Sequence, residues 1–167
     1  MAGAFTIENS TADQWQRFRD LRLEMLQDTP LAYLERLSDA DRVEEPQWRA
    51  RAARDPERFV QLVAVSAAGD WIGTMGGHAP ADGSGPWLVA VYVSPRWRGR
   101  RHGVADALLT EVEGWAAERS TRLMLEVNEK NDRARAFYAA RGFVETGQTR
   151  PYPLDAKLRE LEMLKRL

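Results

Sequence analysis

Hydrophobic side chains recur every three or four residues in two stretches of the chain, and this period is typical of an amphipathic helix. The positions are Trp15, Phe18, Leu21 and Met25 in the first stretch, and Val104, Leu108, Val112 and Trp115 in the second. Thr11 and Gln14 form a capping-box pattern ahead of the first stretch. Pro46 suits the first turn of a shorter helix, and Gly142 is placed to end another over residues 131–141. The pattern therefore predicts about four helices.

Short runs rich in β-branched and aromatic residues alternate with these helices and predict strands. They cover residues 5–8, 59–65, 71–77, 87–93 and 123–127, and a further strand opens at Phe143. The run over residues 87–93 is apolar throughout, as in a strand buried on both faces. From Leu154 onward the spacing fits a helix and a strand equally well. The order of elements predicts an α/β (α+β) fold in a single domain spanning residues 1–167.

The composition narrows the classes of function. The chain has no cysteine, which excludes a disulfide framework, a thiol nucleophile and a cysteine-ligated metal. Its two histidines, His78 and His102, lack metal-ligand spacing, so no metal site is expected. The formal net charge of −1 gives no global attraction to nucleic acid or to a membrane. We expect a soluble, cytoplasmic protein, because neither a signal-peptide pattern nor a run of about 20 apolar residues occurs.

An arginine-rich loop joins the apolar strand over residues 87–93 to the helix that follows. The loop contains Gly99 and Gly103, and it carries four arginines within six residues, namely Arg96, Arg98, Arg100 and Arg101. A helix N-terminus offers unpaired N–H groups to an anion, and glycine lets the backbone approach that anion closely. Neither a Walker loop nor a G-x-G-x-x-G motif is present. The pattern favours a site for a phosphate-bearing ligand over a merely solvated basic loop.

Two motifs resemble those of the GNAT superfamily of acetyltransferases. Arg100-x-x-Gly103-x-Ala105 fits the Q/R-x-x-G-x-G/A signature with which that family holds the pyrophosphate of CoA. The family's second conserved block is similar to Asn131-x-x-Ala134-x-x-Phe137-Tyr138-x-x-x-Gly142-Phe143. The resemblance covers essentially the whole chain and implies a single-domain GNAT fold. It implies about four helices and a mixed sheet of about seven strands, splayed between strands 4 and 5, with a last strand over residues 160–166.

The resemblance also implies which residues contact acetyl-CoA, the expected co-substrate. Backbone groups of residues 91–93 would pair with the pantetheine arm, and Asn131 would touch that arm from the other side. The loop at residues 98–105 would hold the phosphates. The full set expected to bind acetyl-CoA is Val91, Tyr92, Val93, Arg98, Arg100, Arg101, His102, Gly103, Val104, Ala105, Asn131, Ala134 and Tyr138.

Direct transfer of an acetyl group to a primary amine requires two proton movements. An amine with a pKa of about 10.4 loses its proton at pH 7 at a cost of roughly 4–5 kcal/mol, so a base must accept that proton. Many members of the family carry a glutamate on the strand that here covers residues 87–93, and this chain has none there. Glu126 on the next strand is the candidate base, and a surface carboxylate is an equally good interpretation of it. The resemblance implies that Tyr138 is the general acid toward the departing thiolate.

Other functions remain open beside an acetyl-CoA-dependent N-acetyltransferase. The missing strand glutamate also fits a non-catalytic acyl-CoA-binding module or sensor, whereas Tyr138 favours an enzyme. Nucleic-acid binding through residues 96–101 is not expected, because the cluster is short and Trp97 is its only aromatic residue. The expected partner is a small-molecule or protein amine, and a homodimer is usual for such a fold.

An acidic segment over residues 35–45 bears on the class of acceptor. It contains Glu35, Asp39, Asp41, Glu44 and Glu45. The resemblance places this segment over the acceptor side of the cleft, where carboxylates would attract cationic ligands. That favours a polyamine or an aminosugar as the acceptor. The alternative is a solvated helix face that binds no ligand, and His78 is similarly either a residue of the acceptor cleft or a polar strand end.

Overall fold

The computed structural model describes residues 4–167, which form seven β-strands and five α-helices. The strands are β1 (Phe5–Asn9), β2 (Phe59–Ser66), β3 (Trp71–His78), β4 (Trp87–Val93), β5 (Arg122–Asn128), β6 (Val144–Tyr152) and β7 (Asp155–Arg166). The helices are α1 (Trp15–Asp28), α2 (Leu37–Ala40), α3 (Glu45–Ala52), α4 (Val104–Ala117) and α5 (Asp132–Ala139). The four helices predicted from the sequence are α1, α3, α4 and α5, and α2 adds a single turn.

The seven strands form one mixed sheet in the order β1-β2-β3-β4-β5-β7-β6. Neighbouring strands are antiparallel except β4 and β5, which are parallel. These two strands meet only near their starts, where Trp87 is in register with Met124 and the N–H of Met124 donates to the carbonyl of Pro86 at 3.0 Å. Beyond that point β4 and β5 part, which confirms the splay expected between strands 4 and 5.

Two hydrophobic clusters cover the two faces of the sheet. On one face α4 packs against the strands and buries Leu108 and Val112 completely. The other face is covered by α1 and α3, where Trp48 is fully buried. Tyr92 belongs to the second cluster and Val93 to the first, because successive side chains of a strand point to opposite faces. The central strands are therefore held between helices on both sides, as the apolar run over residues 87–93 predicted.

The C-terminal hairpin forms one edge of the sheet. Gly142, with φ +90°, turns the chain after α5 in a conformation that costs glycine little. Strand β7 then inserts between β5 and β6. Its span of Asp155–Arg166 confirms the strand implied for residues 160–166, and the helical alternative for the tail is wrong. Within residues 4–167 no helix has the length and apolar character that crossing a bilayer requires.

Candidate active site

A bulge interrupts β4 at the point where it leaves β5. Thr74 of β3 pairs with Tyr92 and Gly76 pairs with Val89, so Ala90 and Val91 together face the single residue Met75. Ala90 has a φ of +52°, in the left-handed region. This conformation costs a residue with a Cβ about 1–2 kcal/mol. Such strain persists where the surrounding structure enforces it, and it is concentrated at functional sites. The sequence carries no signal for this bulge.

The parted strands open into a large cleft of about 1150 Å³. Its walls come mainly from α1, from the strands β2–β5, from the loop after β4 and from α5, with further residues from α3, the start of α4 and β7. Residues of the predicted site that line it are Val91, Tyr92, Val93, Arg98, Arg100, Ala105, Glu126, Asn131, Ala134 and Tyr138. The other four predicted residues, Arg101, His102, Gly103 and Val104, lie in the loop and at the start of α4 beside this wall. The structure thus gathers most of the predicted residues around one space.

The loop after β4 ends in a helix start with free N–H groups. Gly103 is the N-cap of α4 and adopts φ +69°, and the first helical bond runs from the N–H of Ala107 to the Gly103 carbonyl at 2.9 Å. The N–H groups of residues 104–106 precede that bond, so the helix does not use them. A Cβ at Gly103 would meet no atom within 4 Å, so the space above it is open. This arrangement suits an anion.

The arginines of the loop after β4 differ in their hydrogen-bond and ion-pair partners. Arg98 donates from Nε to the carbonyl of Val93 at 2.7 Å and forms an ion pair with Asp28 of α1. Arg101 donates from Nε to Nε2 of His102 at 2.9 Å and lies outside the cleft wall. Arg100 lines the cleft, is exposed, and has no ion pair within residues 4–167. Arg100 is thus the best placed of the three for a phosphate, while the phosphate contacts predicted for Arg98 and Arg101 stay predictions.

Helix α5 presents Tyr138 to the cleft. Asn131 caps this helix, because its Oδ1 accepts from the N–H of Ala134 at 3.1 Å. The ring of Tyr138 packs edge-to-face against Phe137 and Phe143, at centroid distances of 5.5 and 5.7 Å. Its hydroxyl has no hydrogen-bond partner among residues 4–167, although the residue lines the cleft and is only 7% exposed. Burial, and next the negative charge of an ionised Tyr33, raise the pKa of Tyr138, so the hydroxyl keeps its proton at neutral pH.

Two carboxylates face the cleft from the other side of the splay. Glu126 of β5 lines the cleft and forms an ion pair with Arg150 of β6. Glu160 of β7 also lines the cleft, is 5% exposed, and lies opposite Asn128 in the β5–β7 register. Burial raises the pKa of Glu160, the charge of Glu126 raises it further, and Arg150 opposes both. Sequence reasoning missed Glu160, because only the insertion of β7 beside β5 brings it to the cleft.

A comparison with known proteins shows which family the chain belongs to. The sequence matches the profile of the acetyltransferase (GNAT) family over residues 15–143. The chain belongs to this family. The match includes the loop after β4 and the whole of α5, which carry the two motifs, and it confirms the resemblance inferred from them. A search among curated proteins finds no match.

Solved structures of other acetyltransferases have the same fold. A GCN5-related N-acetyltransferase from Kribbella flavida is 21% identical, with 98% of each chain covered and a TM-score of 0.75. The ribosomal-protein-alanine N-acetyltransferase from Brucella melitensis is 24% identical over 97% of this chain and 99% of that chain, with a TM-score of 0.75. The PaiA N-acetyltransferase from Thermoplasma acidophilum, solved in complex with coenzyme A, is 15% identical over 98% and 99%, with a TM-score of 0.68.

A residue that was not predicted from the sequence stabilises the bulge in β4 of this acetyltransferase. The hydroxyl of Tyr33, between α1 and α2, donates to the carbonyl of Val91 at 2.9 Å. The carbonyl of Tyr33 in turn accepts from the hydroxyl of Tyr152 at 2.7 Å. Burial raises the pKa of Tyr33 to about 12. Tyr33 therefore ties the bulge to the C-terminal hairpin across the cleft.

The acidic segment does not form an acidic wall. Of its five carboxylates only Glu35 lines the cleft, and its two oxygens are taken by Arg22 and Arg51. The other four, Asp39, Asp41, Glu44 and Glu45, are exposed and lie outside the cleft wall. The alternative interpretation as a solvated face fits these four. His78 does line the cleft, so the interpretation of it as a polar strand end was incomplete. No cluster of three or more His, Asp or Glu side chains within residues 4–167 is arranged to hold a metal ion.

Proposed function

We propose that this GNAT acetyltransferase uses acetyl-CoA and moves its acetyl group to a primary amine by direct attack, without a covalent enzyme intermediate. One observation carries the proposal. The Tyr138 hydroxyl, protonated and without a partner among residues 4–167, opens into the same cleft as the parted edge of β4. Acyl transfer from the thioester of an extended ligand requires a proton donor for the departing sulfur. It also requires a strand edge with free backbone groups that bind the ligand.

The residues around the parted strands fit acetyl-CoA. Beyond Trp87 the backbone of β4 makes no registered pair with β5. The carbonyls of Val91 and Val93 are taken by Tyr33 and Arg98, so the remaining backbone groups on that side would bind an amide-containing arm. The N–H groups at the start of α4 and the guanidinium of Arg100 would hold the phosphates. N–H groups of the bulge would polarise the thioester carbonyl and stabilise the negative charge that develops on its oxygen.

The protein's own carboxylates would free the amine. Glu126 is the more accessible of the two, with 27% of its side chain exposed, and would accept the ammonium proton. Glu160 lies nearby, and burial raises its pKa, so it binds a proton more tightly than an exposed carboxylate does. The amine then attacks the acyl carbon, the C–N bond forms, and the C–S bond breaks. Tyr138 would give its proton to the departing sulfur, and the second proton that the attacking nitrogen loses as the amide forms would restore Tyr138.

The test is CoA release from acetyl-CoA across a panel of amines, together with thermal stability in acetyl-CoA alone. The proposal expects stabilisation by acetyl-CoA and amine-dependent release of CoA. The second candidate, a non-catalytic acyl-CoA-binding module, predicts stabilisation without release for any amine. Absence of stabilisation by acetyl-CoA would contradict both. The missing glutamate on β4 favours the module, whereas Tyr138 and the Glu126–Glu160 pair favour the enzyme.

A further inference from the structure

One wall of the cleft carries more positive charge than negative. Three arginines line it: Arg22 of α1, Arg51 of α3, and Arg54 just after α3. They are called the arginine cluster below. Glu35 is the carboxylate among them, and it binds Arg22 Nε at 3.0 Å through one oxygen and Arg51 Nη1 at 2.8 Å through the other. The three guanidinium groups therefore have one carboxylate among them, and Arg22 and Arg51 bind both of its oxygens.

Arg54 is the member without a partner. No carboxylate of residues 4–167 lies within 4.0 Å of its guanidinium. The guanidinium lies over the ring of Phe59 at 5.0 Å, and that ring stacks on His78 with centroids 4.2 Å apart and planes 3° apart. Loss of solvent around its guanidinium, and next the charges of Arg22 and Arg51, lower the pKa of Arg54, and Glu35 opposes them, while the residue as a whole is exposed. An anion bound to Arg54 would relieve the repulsion among the three guanidinium groups.

The neighbouring histidine adds a polar group rather than a charge. Burial lowers the pKa of His78, and the charges of Arg54 and Arg58 lower it further. His78 is therefore neutral at pH 7 and can donate or accept one hydrogen bond. Phe59 and His78 both line the cleft beside Arg54. The wall thus combines a free guanidinium, an aromatic face and a neutral imidazole.

We infer that the acceptor is a small amino carboxylate, whose carboxylate pairs with Arg54 while its amine lies toward Glu126 and Glu160. The inference rests on the proposed function and narrows its acceptor. A guanidinium binds a carboxylate through two parallel hydrogen bonds, and this geometry fixes orientation as well as affinity. Arg54 on one wall and the carboxylates of Glu126 and Glu160 on the other would then bind a zwitterion in one orientation only. The cleft must hold this molecule beside the acyl arm, which favours a free amino acid over a polymer. The outcome is opposite to the polycationic acceptor that the acidic segment suggested.

The test compares acceptors that differ only at the carboxylate. Amino acids with several side chains are each assayed against their carboxamides and their decarboxylated amines, and CoA release gives kcat/KM. We expect the carboxylate form to be preferred about 10- to 100-fold, the usual effect of a charge-assisted hydrogen bond. Arg54→Gln should bring this ratio close to one, mainly through KM for the acid. Arg54→Lys should keep part of it.

Arg58→Gln is the matched control. Arg58 carries the same charge, lies close enough to act on His78, and is outside the cleft wall. The preference for the carboxylate should survive in Arg58→Gln. If Arg58→Gln and Arg54→Gln lower this preference equally, the general positive charge of the region causes it rather than a contact with Arg54. The inference is then overturned. A preference for carboxamides, diamines or peptide N-termini in the parent protein also overturns it.

A second measurement separates this inference from the proposed function. Thermal shifts are recorded with acetyl-CoA and each acceptor of the matched sets, with no turnover required. Stabilisation by amino acids but not by their carboxamides, lost in Arg54→Gln, supports the carboxylate site even if no CoA is released. In that case the proposed transfer fails while the site stands. Equal shifts for acid and amide overturn the site, whatever the enzyme does.

Discussion

The hydroxyl of Tyr33 donates a hydrogen bond to the carbonyl of Val91 at 2.9 Å, across 58 positions of the chain. Val91 is one of the two residues that bulge opposite Met75. A bulge leaves ladder groups unpaired, and a buried carbonyl without a partner costs free energy. Tyr33 supplies that partner at the residue next to Ala90, which has the left-handed conformation. The bulge in the cleft wall is thus stabilised from the segment between α1 and α2.

Replacing Tyr33 with Phe should lower the free energy of unfolding by about 1–2 kcal/mol, because the Val91 carbonyl loses its partner while the ring still packs. Denaturant unfolding measures this change. Tyr152→Phe is the matched control, because it removes a bond to the carbonyl of Tyr33 and leaves Val91 untouched. Turnover should fall more in Tyr33→Phe than in Tyr152→Phe. Equal turnover in the two variants would mean that the brace does not position the bulge.

Local features of the site were predictable from the sequence. The helix over residues 131–141 and the glycine-containing loop ahead of Val104 were predicted, and Asn131 and Gly103 are the N-caps of the two helices. The bulge at Ala90 was not predictable, because the register between β3 and β4 sets it and alanine gives no sign of a positive φ. Tyr33 and Glu160 were missed because they reach the cleft only through pairings between distant segments.

The acidic segment shows a different limit of sequence reasoning. Counting charges over residues 35–45 gives five carboxylates. In the structure four of them are exposed outside the cleft, and Glu35 is held between Arg22 and Arg51. Those arginines come from α1 and α3, outside the segment. Whether a cleft wall is positively or negatively charged depends on such packing between distant segments. The order of charged residues along the chain does not reveal it.

Replacing Gly103 with Ala should both strain the loop and crowd the phosphate site. The left-handed φ of +69° costs an alanine about 1 kcal/mol of folding free energy. Gly83→Ala is the matched control, since Gly83 has φ +75° and equally open surroundings but lies in the loop between β3 and β4, away from the start of α4. The two variants should lose similar stability. Calorimetry should show acetyl-CoA affinity about tenfold weaker only in Gly103→Ala, the loss of roughly one hydrogen bond. Equal affinities in both would remove the phosphates from this loop.

Replacing Glu160 with Gln should change the pH dependence of stability. The pKa of Glu160 is raised above its ordinary value of 4.5, so the folded state binds this proton more tightly than the unfolded state. The contribution is therefore fully present below about pH 4.5 and is lost as pH rises through the folded pKa. Relative to the parent, Glu160→Gln should become more favourable in melting temperature from pH 4 to pH 8. A difference that is constant with pH would show that Glu160 is not perturbed by the cleft.

We propose that Tyr138 donates the proton to the departing sulfur. Tyr138→Phe keeps the ring packing against Phe137 and Phe143 and removes only the hydroxyl. The deciding measurement is kcat for the best amine in the parent and in Tyr138→Phe, with acetyl-CoA affinity measured in parallel. We predict a fall in kcat of about 10²–10⁴-fold, the usual contribution of a general acid, with affinity little changed. Turnover by Tyr138→Phe at the parent rate would show that the thiolate leaves without a proton from Tyr138.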